Sequence, residues 1–282
     1  AEMMLRQRDL HPQGFVTYLG HTIEGPEAFI FMQRATFDLF TFLFDYIPIS
    51  GGHHQRVSDL YHLNFYRFMG EFLSALSMLH EAGYAHRDVT VDNVLLHCGS
   101  SRCRALVADM DCACSFRTGL PYPCADMSAP SGSPAWWPPE VWTSGWQQGS
   151  ASKLDVWSAG LVICEVVSGS PCTTELGQVG AAGDLEALRA DTRWVDEMVQ
   201  GIAKRTASHI AEISSNPKMW RVAHLLMKML NPIPEARCSM SECLEFLERG
   251  LWRLRLHRAR ARTQARARRR AERKRSRSKL GK

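Results

Sequence analysis

The sequence predicts an α+β chain in which a short β-containing start is followed by a mainly helical body. Three observations carry this. Two short runs rich in β-formers lie near the start, at residues 15–19 and 28–33. Apolar residues then recur at helical spacing over a long segment, about 58–82. A later run, 156–168, is apolar on nearly every face, as a helix buried in a core must be. Strands gathered at one end of a chain and helices at the other form the α+β pattern.

Taken in order, residues 2–9 predict the end of a helix, broken at His11 and Pro12. Gly25 and Pro26 predict the turn between the two strand runs, and a second helix is expected near Asp38. Residues 51–55 predict a loop. The long helix that follows carries Leu60, Leu63, Phe68, Phe72, Leu76 and Leu79 on one face, and Gly83 is its stop. Two apolar runs, 93–96 and 105–108, predict a small hairpin. The Ser-, Pro- and Gly-rich stretch 118–139 predicts a long loop, functional or disordered. Further helices are expected at 156–168 and at 219–230, where Asn231 and Pro232 stop the second. Ser239 with Glu242 three residues on has the capping-box pattern of a last helix.

Composition fits a folded, intracellular-type domain: 282 residues, 45% hydrophobic and 22% charged. The first residue, Ala1, sits in an amphipathic element with no signal-peptide pattern, which predicts a truncated start. The most apolar stretches, 29–32 and 159–167, are too short to cross a bilayer, so no membrane span is expected. Nine cysteines without a C-x-x-C pair predict reduced thiols in a reducing compartment, cytoplasmic or nuclear. Cys112 and Cys114 stand too close together to share a metal or a disulfide.

Charge is divided unequally. Residues 251–282 hold 15 Lys or Arg against one acidic residue, and the chain's formal +5 therefore leaves −9 for residues 1–250. The tail is rich in helix formers and predicts an exposed basic rod. It suits an anionic partner, nucleic acid or an acidic surface, or a nuclear import signal through Arg268, Arg269 and Arg270 and then Arg273, Lys274 and Arg275. A merely solvated tail is the alternative.

The chemistry-bearing pattern is His86-Arg87-Asp88-Val89-Thr90-Val91-Asp92-Asn93, an H-R-D-x-x-x-x-N run. Asp109-Met110-Asp111 follows. Then come Gly132-Ser133-Pro134-Ala135-Trp136-Trp137-Pro138-Pro139-Glu140, Asp155-Val156-Trp157-Ser158-Ala159-Gly160, and Arg237. In this order the five resemble the eukaryotic protein kinase family, from the catalytic loop through D-F-G, A-P-E and D-x-W-S-x-G to the Arg that pairs with the A-P-E Glu.

The resemblance implies a bilobal α+β kinase fold over residues 1–250. It comprises a truncated small lobe (1–34), a helical large lobe (35–250) and a basic extension (251–282). It implies ATP and Mg as cofactors, protein substrates, and phosphorylation of serine or threonine, to which the G-S-P form at Ser133 leans. A pseudokinase acting as a non-catalytic scaffold is the alternative. The roles it carries over are Asp88 as catalytic base with Arg87 beside it, and Asn93 and Asp109 as metal ligands. Met32 becomes the gatekeeper, Gln33 to Ala35 the adenine hinge, Asp38 the ribose neighbour, and Leu95 the adenine floor or plain strand core. Glu2 stands where the family's helix Glu would meet a strand Lys, or is an exposed acid. Nothing in the given residues supplies that Lys or a Gly-rich loop, so weak ATP binding is expected of the isolated chain.

Two departures from the family bear on activity. Thr90 stands where serine/threonine kinases have a Lys facing the γ-phosphate, and Asp111 replaces the flexible Gly of D-F-G. A Glu140–Arg237 pair is expected as a structural clamp. Asp155 can otherwise be read as an N-cap. Thr118, Ser128 and Ser131 are candidate phosphorylation positions, with Arg87 placed to meet the phosphate.

Overall fold

The structure, a computed structural model, describes residues 14–46, 65–99, 103–124, 131–143, 151–171, 192–216 and 219–249. Glu2, Ser128 and the basic tail lie outside the described residues. The chain divides into two compact units, Ala1–Leu244 and Glu245–Lys282. All of the strands and the first six helices belong to the first unit.

The expected first hairpin is present, with shifted bounds. Strands β1 (Tyr18–Glu24) and β2 (Glu27–Met32) pair antiparallel around a turn in which Gly25 has φ +63°. Both strands reach further toward the turn than hydrophobicity suggested, because the backbone ladder continues through polar positions, with Thr22 opposite Phe29 and Glu24 opposite Glu27. Phe15, expected in the first strand, instead bridges Val107 in parallel. Segment β3 (Phe37–Asp38) leads into a single helical turn, α1 (Leu39–Thr41), which Asp38 caps by accepting the Thr41 N–H at 2.6 Å.

The long helix α2 is described over Phe65–Glu81, with Phe68, Phe72, Leu76 and Leu79 all buried. Gly83 ends it at φ +91°, a conformation that glycine adopts without a Cβ penalty. The short strand β4 (Tyr84–Ala85) follows. Then β5 (Val94–Cys98) and β6 (Cys103–Val107) form the expected hairpin, and with β3 make a sheet of order β3-β5-β6. Strand β7 (Cys114–Ser115) pairs back onto β4.

The body beyond is helical: α3 (Pro139–Thr143), α4 (Ala151–Ser168), α5 (Thr192–Ser215), α6 (Trp220–Met229) and α7 (240–249). Helix α4 is buried along nearly its whole length, which explains its all-round apolar sequence. The capping box forms at the start of α7: the Ser239 N–H donates to Glu242 Oε2 at 2.7 Å, and the Glu242 N–H returns to Ser239 Oγ at 3.2 Å. Among the described residues no helix is long and apolar enough to cross a membrane.

The expectation of uniformly reduced thiols is corrected. Cys98 and Cys103 are disulfide-bonded, and so are Cys114 and Cys124. Spacing rules for metal and redox motifs do not see the first bond, because it depends on hairpin register, which sets Cys98 opposite Cys103. The second joins β7 to the following loop, inside a small buried cluster with Ala85 and Ala151. Cys112 and Cys114 do not pair with each other, as expected.

The clamp forms as expected. Arg237 reaches Glu140 through two bonds, Nη1 to Oε1 at 2.8 Å and Nη2 to Oε2 at 2.9 Å. Two of its three other N–H groups meet the Asn231 carbonyl at 2.9 Å and the Lys153 carbonyl at 2.8 Å, and its guanidinium lies 5.1 Å from the Trp157 ring centroid. A buried cation persists because each edge is satisfied.

Two outcomes are expected from this packing. Arg237→Met should lower unfolding free energy in urea by about 3–5 kcal/mol by stranding Glu140, whereas the double variant Glu140→Met, Arg237→Met should recover part of that loss. Peptide mapping without reductant should find Cys98 linked to Cys103 and Cys114 linked to Cys124. Full alkylation of all four without prior reduction would refute both bonds.

Candidate active site

The residues of the H-R-D-x-x-x-x-N run occupy the loop between β4 and β5, and a buried carboxylate on α4 holds that loop from below. Asp155 is 0% exposed. Its Oδ2 accepts the His86 N–H at 2.7 Å and its Oδ1 accepts the Arg87 N–H at 2.7 Å. His80 Nε2 donates to the same Oδ2 at 2.8 Å, since a carboxylate only accepts. Asp155 therefore lies inside the helix as a cross-chain brace, and the N-cap reading is set aside: α4 begins at Ala151. Sequence order alone gave no sign that its partners would be loop amides 68 and 69 residues earlier.

His86, also 0% exposed, ties the loop to the end of β6. Its Nδ1 accepts the Asp88 N–H at 3.2 Å while its Nε2 donates to the Ala108 carbonyl at 2.9 Å, which fixes the tautomer. Between these anchors Arg87 takes φ +69°, and next to Ala108 the residue Asp109 takes φ +61°. Left-handed backbone at a non-glycine residue costs on the order of 1–3 kcal/mol and persists where the surroundings over-determine it. Both strained positions flank the same site.

Asp88 is oriented from two sides. Asn93 Nδ2 donates to the Asp88 carbonyl at 2.8 Å and to its Oδ2 at 3.0 Å, and the Ser133 N–H donates to its Oδ1 at 2.8 Å. An ionised carboxylate has about four lone-pair sites, so it can still accept a proton from a reactant. With its amide N–H groups aimed at Asp88, Asn93 turns its Oδ1 elsewhere. The Asn93 carbonyl accepts the Ala108 N–H at 2.9 Å, which brings Asn93 beside the segment that leads to Asp109. Asp109 is exposed, and its Oδ1 accepts the Asp111 N–H at 3.3 Å. An amide oxygen and a carboxylate are hard oxygen donors of the kind magnesium takes. The donor set fits that ion.

Met110 is 4% exposed and plugs the core as an apolar residue must. Asp111 is exposed and does not take a positive φ, so its backbone makes no demand for glycine. Thr90 is 3% exposed and its Oγ1 accepts the Asn93 N–H at 3.2 Å. Its hydroxyl supports the loop turn and offers no cation.

Burial pushes the Arg87 guanidinium below its ordinary range, against the charges of Cys112 and Asp155, which favour the cation. Burial raises the Asp92 carboxyl, and the neighbouring charges of Asp38 and Asp88 raise it further. Cys112, half-buried, is pushed up by burial; a hydrogen bond with Ser131 pulls the other way. Its place beside Asp88, Arg87 and Asp109 is invisible to cysteine spacing, which compares a thiol only with other thiols.

The nucleotide-side candidates fall on two sheets, Met32 on the β1-β2 pair and Asp38 and Leu95 on β3-β5-β6. Met32 ends β2 and is 41% exposed. The Gln33 N–H donates to the Thr17 carbonyl at 2.8 Å, and the Thr36 N–H to the Leu96 carbonyl at 2.8 Å, with Ala35 half-buried between them. Asp38 and Leu95 are register partners across β3 and β5, and Leu95 is half-buried between the buried Val94 and Leu96. The sheet thus brings Asp38 and Leu95 together.

Gly132 carries the closest approach in the site. It has φ +89°, and a Cβ there would lie 2.4 Å from the Arg87 carbonyl and 2.9 Å from Asp88 Oδ1. Gly132→Ala should therefore displace the Asp88 carboxylate, destabilise the fold by more than about 1 kcal/mol, and be read by thermal unfolding. A fully stable Gly132→Ala chain would show that this contact gives way.

Comparison with known proteins identifies the family. The protein kinase domain family matches residues 10–246. Similar curated proteins include the mitogen-activated protein kinase kinase kinase bck1 of Aspergillus fumigatus, 34% identical over 116 residues, which is 41% of this chain and 7% of that protein. Serine/threonine-protein kinase SKM1 of Saccharomyces cerevisiae is 27% identical over 170 residues, 60% of this chain and 24% of its own length. Mitogen-activated protein kinase kinase kinase 1 of Arabidopsis thaliana is 26% identical over 172 residues, 61% and 25% respectively. The chain thus spans a quarter or less of each of these relatives.

Proposed function

The chain belongs to the protein kinase domain family, and we propose that it transfers the γ-phosphate of ATP to serine or threonine hydroxyls of protein substrates. The observation that carries this reading is the held carboxylate of Asp88. Asn93 and Ser133 fix both of its oxygens in place on a loop braced by Asp155. A base positioned before the substrate arrives needs no reorganisation at the moment of reaction, and proton transfer to such a group contributes about 10²–10⁴-fold in rate.

In this reading Asp88 accepts or orients the proton of the attacking hydroxyl, and Ser133 and Asn93 hold it against rotation. Asn93 Oδ1 and the Asp109 carboxylate would hold magnesium, which neutralises charge on the transferring phosphate when bound. The Gln33 N–H is already engaged with Thr17. Adenine recognition at the hinge then falls to the backbone of Arg34 and Ala35, beside Met32, with Leu95 beneath and Asp38 toward the ribose. Use of ATP favours a location inside the cell, cytoplasmic or nuclear, against which the two disulfides stand as the opposing observation. Arg87 and the loop positions Thr118 and Ser131 remain the proposed regulatory elements.

One observation favours the scaffold reading. Thr90 is buried and turned into its own loop, so the cation that serine/threonine kinases set against the γ-phosphate is absent from that position. Loss of such a charge costs several kcal/mol of transition-state stabilisation unless another group supplies it.

Transfer from γ-labelled ATP to a generic serine/threonine substrate, with magnesium present, separates the readings. The expected result is magnesium-dependent labelling that Asp88→Asn lowers about 10²-fold or more. Labelling unchanged by Asp88→Asn would sink the mechanism, and nucleotide binding without any transfer would establish the scaffold.

A further inference from the structure

Outside the active site, two cysteines meet at the start of α7. Cys238 Sγ and Cys243 Sγ lie 2.9 Å apart, and both are free thiols. Their positions in the helix explain the contact. Ser239 is the N-cap and Glu242 closes the capping box. Cys238 is thus the residue before the cap, and Cys243 is the fourth helical residue. These two positions face one another in a helix entry and ordinarily carry an apolar pair that fixes the entry angle of the chain. Here the pair consists of thiols.

We propose that Cys238 and Cys243 are a reversible dithiol–disulfide site, oxidised by a small-molecule disulfide of the glutathione class. Three features support it. The capping box fixes the backbone between the two thiols, so their approach does not depend on a wandering loop. Cys238 is half-buried, which leaves it open to a small reagent, whereas Cys243 is 0% exposed and shielded from it. The two thiols are also unequal in acidity. A hydrogen bond from Cys243 holds Cys238 below its usual range, despite burial, with Lys153 and Lys228 assisting and Glu242 opposing. Cys243 is pushed up by the same bond and by burial. One sulfur is the nucleophile and the other resolves.

The chemistry balances in two exchanges. The Cys238 thiolate attacks one sulfur of the small disulfide, forming a mixed disulfide and expelling a thiolate. Cys243 then gives up its proton and attacks Cys238 Sγ, forming the Cys238–Cys243 bond and expelling the second thiolate. The pair loses two electrons, the reagent gains them, and the protons pass to the two leaving thiols. A reduced small thiol reverses each step. The product is a covalent staple across the helix entry, one residue from Arg237 and its clamp on Glu140.

The test uses the full chain, equilibrated in glutathione buffers from reducing to oxidising, quenched with acid, alkylated and digested with trypsin. Cleavage after Arg237 and Arg249 releases both cysteines in one peptide. The expected result is joint loss of both alkylation sites, giving a peptide lighter than the dithiol by the mass of two hydrogen atoms. Cys243→Ser should instead stop at a glutathione adduct on Cys238, and Cys238→Ser should leave Cys243 unmodified. A wild-type peptide alkylated twice at every ratio would overturn the proposal, and so would one that halts at the glutathione adduct. The wild-type titration decides the matter even if a variant fails to fold.

Discussion

A single buried carboxylate organises the catalytic-loop region. Asp155 projects from the most deeply buried helix and accepts two backbone N–H groups and one imidazole N–H. A carboxylate removed from water is costly unless donors replace its hydration, and a carboxylate so satisfied forms charge-assisted bonds stronger than neutral ones. The consequence is mechanical. Two consecutive loop amides, those of His86 and Arg87, are pinned to a helix buried along nearly its whole length, and the next residue is Asp88. His86 extends the same brace to the Ala108 carbonyl, so the two segments that present Asp88 and Asp109 share one foundation.

That foundation is what allows strained backbone to persist. Arg87 and Asp109 both occupy left-handed conformations, each beside an anchored residue, and neither is glycine. Strain of this kind accumulates where a local geometry is worth more than its cost, and here it turns two acidic residues toward one site. Gly132 completes the arrangement from the opposite side. Without a Cβ it brings the Ser133 N–H within reach of Asp88, so the loop that follows D-M-D helps to aim the carboxylate. Fold and site are therefore one construction, with the clamp between Glu140 and Arg237 fixing the far end of that loop against α4 through Lys153 and against the segment after α6 through Asn231.

Much of this was legible in sequence, for a physical reason. Motif spacing encodes local turns, so the catalytic-loop run, the hairpin at β5 and β6, the capping box at Ser239 and the helix stop at Gly83 all appear where short-range rules place them. The Glu140–Arg237 pair was legible only through family resemblance, since 97 residues separate its members. Asp155 reads equally well as a cap in sequence, because a buried acid's partners are set by tertiary packing. The disulfides escape sequence reading for a related reason. Cys98 and Cys103 meet through strand register, and register follows from pairing across the whole hairpin. Asp111 in sequence suggests a loss of flexibility, yet the residue that needs the unusual backbone is Asp109.

The electrostatics of the site bear on which function the fold performs. Asp92 is raised by burial and by the charges of Asp38 and Asp88, which marks the region proposed for the nucleotide as rich in carboxylates. Asp109 and Asp111 add two more on the facing segment. Meanwhile Thr90 is folded into its turn and the Arg87 guanidinium is buried beneath the loop. On the proposed reading such an arrangement repels a bare triphosphate. On that reading it accepts one accompanied by divalent cations, because the same carboxylates that oppose the nucleotide's charge attract the metal's. Where a kinase with a lysine at the Thr90 position divides phosphate neutralisation between protein and metal, the proposed site would shift the share toward the metal. If Asn93 and Asp109 hold magnesium as proposed, nucleotide affinity and any phosphoryl transfer should rise and fall together with its occupancy there.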